Sequence, residues 1–120
     1  MEYYSFDQRV LQSSILLNKY PDRIPLVIEN LNEINLNEIN KINKINKKYL
    51  LPKDLPFGSF FNIIKAKIKL DRKQAIFMFV KNGENYILIP ISQTINDIYK
   101  TYKNDDGFLY IKFGIENTFG

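Results

Sequence analysis

The sequence predicts an α+β domain in which one main helix crosses a mixed sheet, and three observations carry the prediction. Its 120 residues suit a single domain, and 45% of them are hydrophobic, enough for a core that needs no staple. Apolar positions alternate between helical spacing and short strand-like runs, in the order helix, strand, strand, helix, strand, strand, helix, strand. Proline, glycine and aspartate punctuate the joints between these segments.

The first element begins at a capping box, Ser5 with Gln8 three residues on. Val10, Leu11, Ser14, Leu16 and Leu17 follow at helical spacing, so Phe6 to Lys19 reads as an amphipathic helix. Tyr20-Pro21-Asp22 stops it and turns the chain into a strand from Arg23 to Glu29. Pro25 within that strand has no N–H for a ladder, so one side of it must face away from a sheet partner. Leu31 to Asn46 is a low-complexity insert, Leu-Asn-Glu-Ile-Asn twice and then Lys-Ile-Asn twice, read as a tolerated surface loop.

Lys48 to Leu51 is a second short strand, ended by Pro52. Phe57, Phe60, Phe61, Ile64 and Ile68 form the clearest helical stripe in the chain, predicting a helix from Phe57 to Leu70. Ala75 to Val80 reads as a buried strand, and Asn82-Gly83 is a type I′ turn signal that pairs Asn85 to Pro90 back as a hairpin. Thr94 caps a short helix with Asp97 at its third position, running through Ile98, Tyr99 and Tyr102. Asp105-Asp106-Gly107 then turns the chain into a last strand, Phe108 to Phe113.

Two early strands, a crossing helix and a final strand that returns among the first ones make a ubiquitin-like β-grasp, expected here as a mixed four-stranded sheet with an N-terminal helical extension. The expected division is residues 1–20 for the extension, 21–114 for the β-grasp and 115–120 for a flexible tail.

Composition removes whole classes of function. With neither cysteine nor histidine, the chain lacks thiol nucleophiles, the commonest general base and the usual zinc ligands. No carboxylate pair or glycine-rich phosphate loop organises the remaining polar residues, so no enzyme and no metal site is expected. The net charge of +4 is modest, and its one dense basic run, Lys41 to Lys48, is diluted by Ile and Asn, so no nucleic-acid partner is expected. No stretch is long and apolar enough to span a bilayer, and with no cysteine a cytoplasmic location is the default. The chain finishes Glu116-Asn117-Thr118-Phe119-Gly120. A terminal glycine carboxylate enters a narrow cleft easily. Taken alone, such an end fits either an acyl donor or a frayed terminus.

Five segments together resemble the autophagy ubiquitin-like modifiers, a family that includes yeast autophagy-related protein eight, GABARAP and microtubule-associated-protein light chain three. They are Tyr20-Pro-Asp-Arg-Ile-Pro25, Lys48-Tyr-Leu-Leu-Pro52 with Asp54-Leu55 and Gly58, Ala75-Ile-Phe-Met-Phe-Val80, Asp106-Gly-Phe-Leu-Tyr-Ile111 and Glu116-Asn-Thr-Phe-Gly120. They stand in family order and span nearly the whole chain.

The resemblance implies that Gly120 is the conjugation site, adenylated, passed as a thioester between partner cysteines and joined to phosphatidylethanolamine. Phe119 is then the residue that processing and activating partners read. Ending at Gly120 fits either an encoded or a processed terminus. No cofactor is implied beyond the covalent lipid. The implied partners are the activating and conjugating enzymes of autophagy, a delipidating cysteine protease, phosphatidylethanolamine membranes and cargo receptors carrying aromatic-x-x-aliphatic motifs. The implied location is cytoplasmic, moving to autophagosome or related vesicle membranes on lipidation.

By matching positions, one motif pocket is lined by Leu16, Pro25, Leu50 and Phe108 with Lys48 at its rim. The other is lined by Tyr49, Leu51, Pro52, Leu55, Phe60 and Ile63, and Arg23 and Lys67 supply a charged rim. Without the resemblance, Leu55, Phe60 and Ile63 read simply as core. The chain departs from the family in its short N-terminus, in Gln12 where an acidic residue is common, in Asn46 in place of a lysine, and in the repeat insert. The alternative function is a non-conjugated β-grasp adaptor that binds linear motifs or the cytoskeleton.

Overall fold

A computed structural model describes residues 4–30, 48–68 and 70–117. The repeat insert, Phe119 and Gly120 lie outside the described residues. The elements in chain order are α1 (Phe6–Lys19), β1 (Arg23–Asn30), β2 (Lys48–Pro52), α2 (Phe57–Ile68), β3 (Gln74–Asn82), β4 (Asn85–Leu88), α3 (Ile95–Tyr102) and β5 (Leu109–Asn117). The fold is the expected ubiquitin-like β-grasp with an N-terminal helix.

The sheet has five strands rather than four, in the order β2-β1-β5-β3-β4. β1 and β5 run parallel at its centre, and every other pairing is antiparallel. The fifth strand comes from the hairpin, which closes at Asn82↔Asn85 around the two-residue loop Gly83-Glu84. Its positive φ of 65° falls on Gly83, so the turn is centred one residue later than the Asn82-Gly83 signal suggested.

β5 also corrects the expected tail. Ile115, Glu116 and Asn117 are not a flexible extension but pair with Ile76, Ala75 and Gln74. The apolar alternation of Leu109, Ile111 and Phe113 carries on to Ile115, and the facing edge of β3 pairs the residues through Asn117.

Alternation along each strand separates two faces. Ile24, Leu26 and Ile28 of β1, Leu109, Ile111 and Phe113 of β5, and Ile76, Met78 and Val80 of β3 are buried on one face. Phe57, Phe60, Ile64 and Ile68 of α2 cover them, together with Ile95 and Ile98 of α3. The first donors of α2 have no side-chain cap; Phe57 N–H and Gly58 N–H donate to the carbonyls of Gln93 and Ile91 at 2.8 and 3.2 Å. Val27 and Phe108 are buried outside that core, on the opposite face, where α1 packs against β1.

Both capping boxes form as the sequence predicted, Ser5 with Gln8 and Thr94 with Asp97. The stripe on α1 is narrower than expected. Leu16 and Leu17 are half-buried, but Leu11 is 62% exposed and Ser14 faces solvent, whereas Ser13 is buried. Contact with a flat sheet covers less of a helix than a stripe drawn by spacing alone.

Candidate functional site

Among the described strands β2 ends the sheet, so one side of it faces no described strand. Which of its backbone groups face outward follows from the ladder. Lys53 N–H donates to Asp22 carbonyl at 3.0 Å, making that pair a hydrogen-bonded one. Antiparallel pairs alternate, so Ile24↔Leu51 and Leu26↔Tyr49 are hydrogen-bonded too, while Pro25↔Leu50 and Val27↔Lys48 are not. Pro25 thereby loses no ladder bond on the β2 side. The N–H and C=O of Lys48 and Leu50 point to the free side. One of them already has an acceptor role: Arg23 Nη1 donates to the Leu50 carbonyl at 3.2 Å.

Side chains of this edge strand serve both faces. Lys48 and Leu50 project on the α1 face, where Leu50 stands opposite Pro25. Phe108 is fully buried there, and Lys48 Nζ lies 5.9 Å from the centre of its ring. Leu16 comes from α1, half-buried on the helix that packs against β1. The residues expected to line the first pocket thus come from β1, β2, α1 and the position just before β5, and Phe108 among them is fully buried.

On the other face, Tyr49 stacks edge-on against Phe60 with ring centres 5.3 Å apart. Phe60 is 1% exposed and belongs to the core. Leu51 and Leu55 are half-buried against the same core. Ile63, one turn further along α2, is 49% exposed and open to a partner. Pro52 is half-buried where the chain turns, its carbonyl accepting from Leu55 N–H at 3.2 Å. Of the expected charged rim, Lys67 Nζ sits 5.4 Å from the Tyr49 ring, and Arg23 is engaged with Leu50.

A second set of residues forms a buried polar cluster that the sequence did not bring together. Asp106, quoted there within a turn and a family-like segment but given no role, is 1% exposed and anchors α1 to the sheet. Its carboxylate accepts from Arg9 Nε at 2.9 Å, from Phe108 N–H at 2.9 Å and from the Tyr110 hydroxyl. Its carbonyl accepts from Ser13 Oγ at 2.6 Å, and Tyr99 donates to the neighbouring Gly107 carbonyl at 2.8 Å. Burial pushes the Tyr110 phenol well above the usual tyrosine range, the hydrogen bond and charge of Asp106 add to the rise, and Arg9 opposes it. Burial, then Asp106, raises Tyr99 as well. A cavity of about 330 Å³ opens beside this cluster, lined by Lys81, Tyr86, Tyr102 and Lys112 among others. Two cations in it are already matched, Arg9 by Asp106 and Lys112 by Glu29 at 3.4 Å.

Among the described residues no group of His, Cys, Asp or Glu is placed to hold a metal ion. No described helix is long and apolar enough to cross a membrane. Among the described residues the site offers an outer strand edge with apolar side chains on both of its faces.

A family profile described as "Autophagy protein Atg8 ubiquitin like" matches residues 8–120. The chain is 41% identical over 117 residues to autophagy-related protein 8 of Schizosaccharomyces pombe, a match covering 98% of this chain and 89% of the relative. It is 38% identical over 117 residues to autophagy-related protein 8d of Arabidopsis thaliana, covering 98% and 90%. Among solved structures, Trypanosoma brucei ATG8 superposes with a TM-score of 0.74 at 31% identity, covering 98% of this chain and 93% of that one. Plasmodium falciparum Atg8 in complex with a Plasmodium falciparum Atg3 peptide superposes with a TM-score of 0.78 at 32% identity, covering 98% and 96%.

Proposed function

The chain belongs to the Atg8 family of ubiquitin-like autophagy proteins, and from that premise we propose that it is a lipid-conjugated modifier whose β2 edge docks peptide motifs. The observation that carries the docking half is the pair of outward-facing residues Lys48 and Leu50 on a strand with apolar side chains on both faces. A peptide added there as a strand pairs its backbone with theirs. Residues of that peptide three apart point to opposite faces, because side chains alternate with a period of two. An aromatic side chain therefore enters the Leu16, Pro25, Leu50, Phe108 side while an aliphatic one three residues on reaches Tyr49, Leu51, Leu55 and Ile63. The aromatic-x-x-aliphatic spacing is compatible with this edge. Arg23, Lys48 and Lys67 favour acidic flanking residues, acting mainly on association rate and selectivity.

The conjugation half rests on family membership, with Gly120 as the acyl donor. The glycine carboxylate is activated as an acyl adenylate, becomes a thioester on partner cysteines and ends as an amide on the amine of phosphatidylethanolamine. The chain has no cysteine, so each sulfur in that sequence belongs to a partner. The solved P. falciparum neighbour, carrying an Atg3 peptide, supports a conjugation-pathway partner for this chain as well. Two acyl chains supply about 0.8 kcal/mol per buried CH₂ and cross the threshold for stable anchoring that one chain does not. Such anchoring places the protein on autophagosome or related membranes, where the β2 edge recruits cargo receptors.

The test is incubation with autophagy activating and conjugating enzymes and liposomes containing phosphatidylethanolamine. The parent is expected to gain one lipid mass on its C-terminal peptide, and Gly120→Ala to gain none. Equal lipidation of Gly120→Ala defeats the assignment. A parent that binds motif peptides but never takes lipid is instead the non-conjugated adaptor.

A further inference from the structure

A relay of contacts runs from the core out to the mouth of the first pocket. Buried Asp106 holds Arg9 through Nε at 2.9 Å, and the same guanidinium donates through Nη1 to the Tyr4 carbonyl at 2.7 Å. With its backbone fixed there, Tyr4 sets its ring 5.4 Å from Lys48 Nζ. The same ammonium lies 5.9 Å from the buried Phe108 ring and donates to Gln12 Oε1 of α1 at 2.8 Å. Lys48 is therefore held between two aromatic rings and tethered from a third side.

We propose that Tyr4 is an intramolecular lid: its ring, bridged by Lys48, covers the approach to the first pocket, and a docking peptide must displace it. The inference rests on the docking reading of the β2 edge. It explains two contacts at once, because each engages a group that strand addition needs. The Tyr4 ring takes the cation that an incoming aromatic would meet, and Arg23 takes the outward Leu50 carbonyl that an incoming N–H would meet. Both covers are light. Tyr4 is 43% exposed, and a cation–π contact at such a site shifts an equilibrium by about two- to fivefold. A lid of that strength sets a threshold that weak peptides fail and strong ones pass. Strand addition at Leu50 separately displaces Arg23, leaving it to meet an acidic residue on the peptide.

The experiment measures affinity and association rate of a synthetic peptide with Trp and Leu at the two motif positions, on the full chain. Tyr4→Ala is expected to bind about two- to fivefold tighter, chiefly through faster association, while Tyr4→Phe keeps the ring and matches the parent. Without peptide, the Lys48 side-chain methylene protons are expected to lose their upfield ring shift in Tyr4→Ala. Equal affinity of Tyr4→Ala and parent overturns the lid and leaves docking standing. Weaker binding by Tyr4→Ala makes Tyr4 part of the binding surface, which also overturns the lid. If no form of the protein binds, the docking reading falls and takes the lid with it.

Discussion

Replacing Gly107 with alanine should loosen α1 from the sheet, and the expected cost can be built from two contacts. Gly107 has φ +92°, a backbone angle that alanine rarely adopts, and holding a non-glycine residue there costs about 1–3 kcal/mol. An added Cβ would also stand 2.3 Å from Ser13 Oγ and 2.9 Å from Ser13 Cβ. Ser13 cannot swing aside freely, because it is buried and its hydroxyl donates to the Asp106 carbonyl at 2.6 Å. Overpacking of that kind costs about 1–3 kcal/mol. Taking moderate values for both gives about 3 kcal/mol, and in a domain of this length about 12 °C of melting temperature. Thermal unfolding followed by circular dichroism measures it directly. Ser13→Ala removes the nearest atom of the clash, so Gly107→Ala should cost at least about 1 kcal/mol less in that background. A Gly107→Ala protein that melts within about 3 °C of the parent refutes the reasoning, because neither strain nor clash would then be present.

Two further outcomes test other parts of the structure. The folded-state phenols of Tyr99 and Tyr110 lie above their unfolded value of 10.0, so the stability they contribute is fully present below that pH and is lost as pH rises through the folded values. Denaturant melts should therefore be level across neutral pH and fall steeply in strong alkali, with a shallower fall for Tyr110→Phe; an unchanged alkaline slope contradicts the burial of that hydroxyl. At the second pocket, exposed Ile63 and buried Phe60 should part company. Ile63→Ala is expected to change stability by no more than about 0.5 kcal/mol while weakening peptide binding severalfold, whereas Phe60→Ala should cost about 3–5 kcal/mol of stability. An Ile63→Ala protein that binds the peptide as the parent does moves the aliphatic pocket elsewhere.

How far the site was legible varies residue by residue. Lys48, Leu50, Tyr49 and Leu51 were found because they share one short strand, and alternation alone sorts them onto two faces. Phe60 and Phe108 were expected to line the two pockets, but their depth depends on what covers them, which spacing does not report. The pairing of Arg9 with Asp106 escaped notice because 97 positions separate them along the chain. Tyr4 was missed for the same reason: its partner Lys48 lies across the repeat insert.

What the sequence determined by itself was local. The capping boxes at Ser5 and Thr94, the helical stripe of α2 and the hairpin at Gly83 each rest on groups within a few residues, where hydrogen bonding and side-chain spacing act without help. Only the tertiary structure decided that Ile115 to Asn117 are paired rather than loose, and which backbone groups of β2 face outward. Those outcomes depend on a facing strand far along the chain. A backbone group has no direction to seek a partner until the fold has brought one beside it.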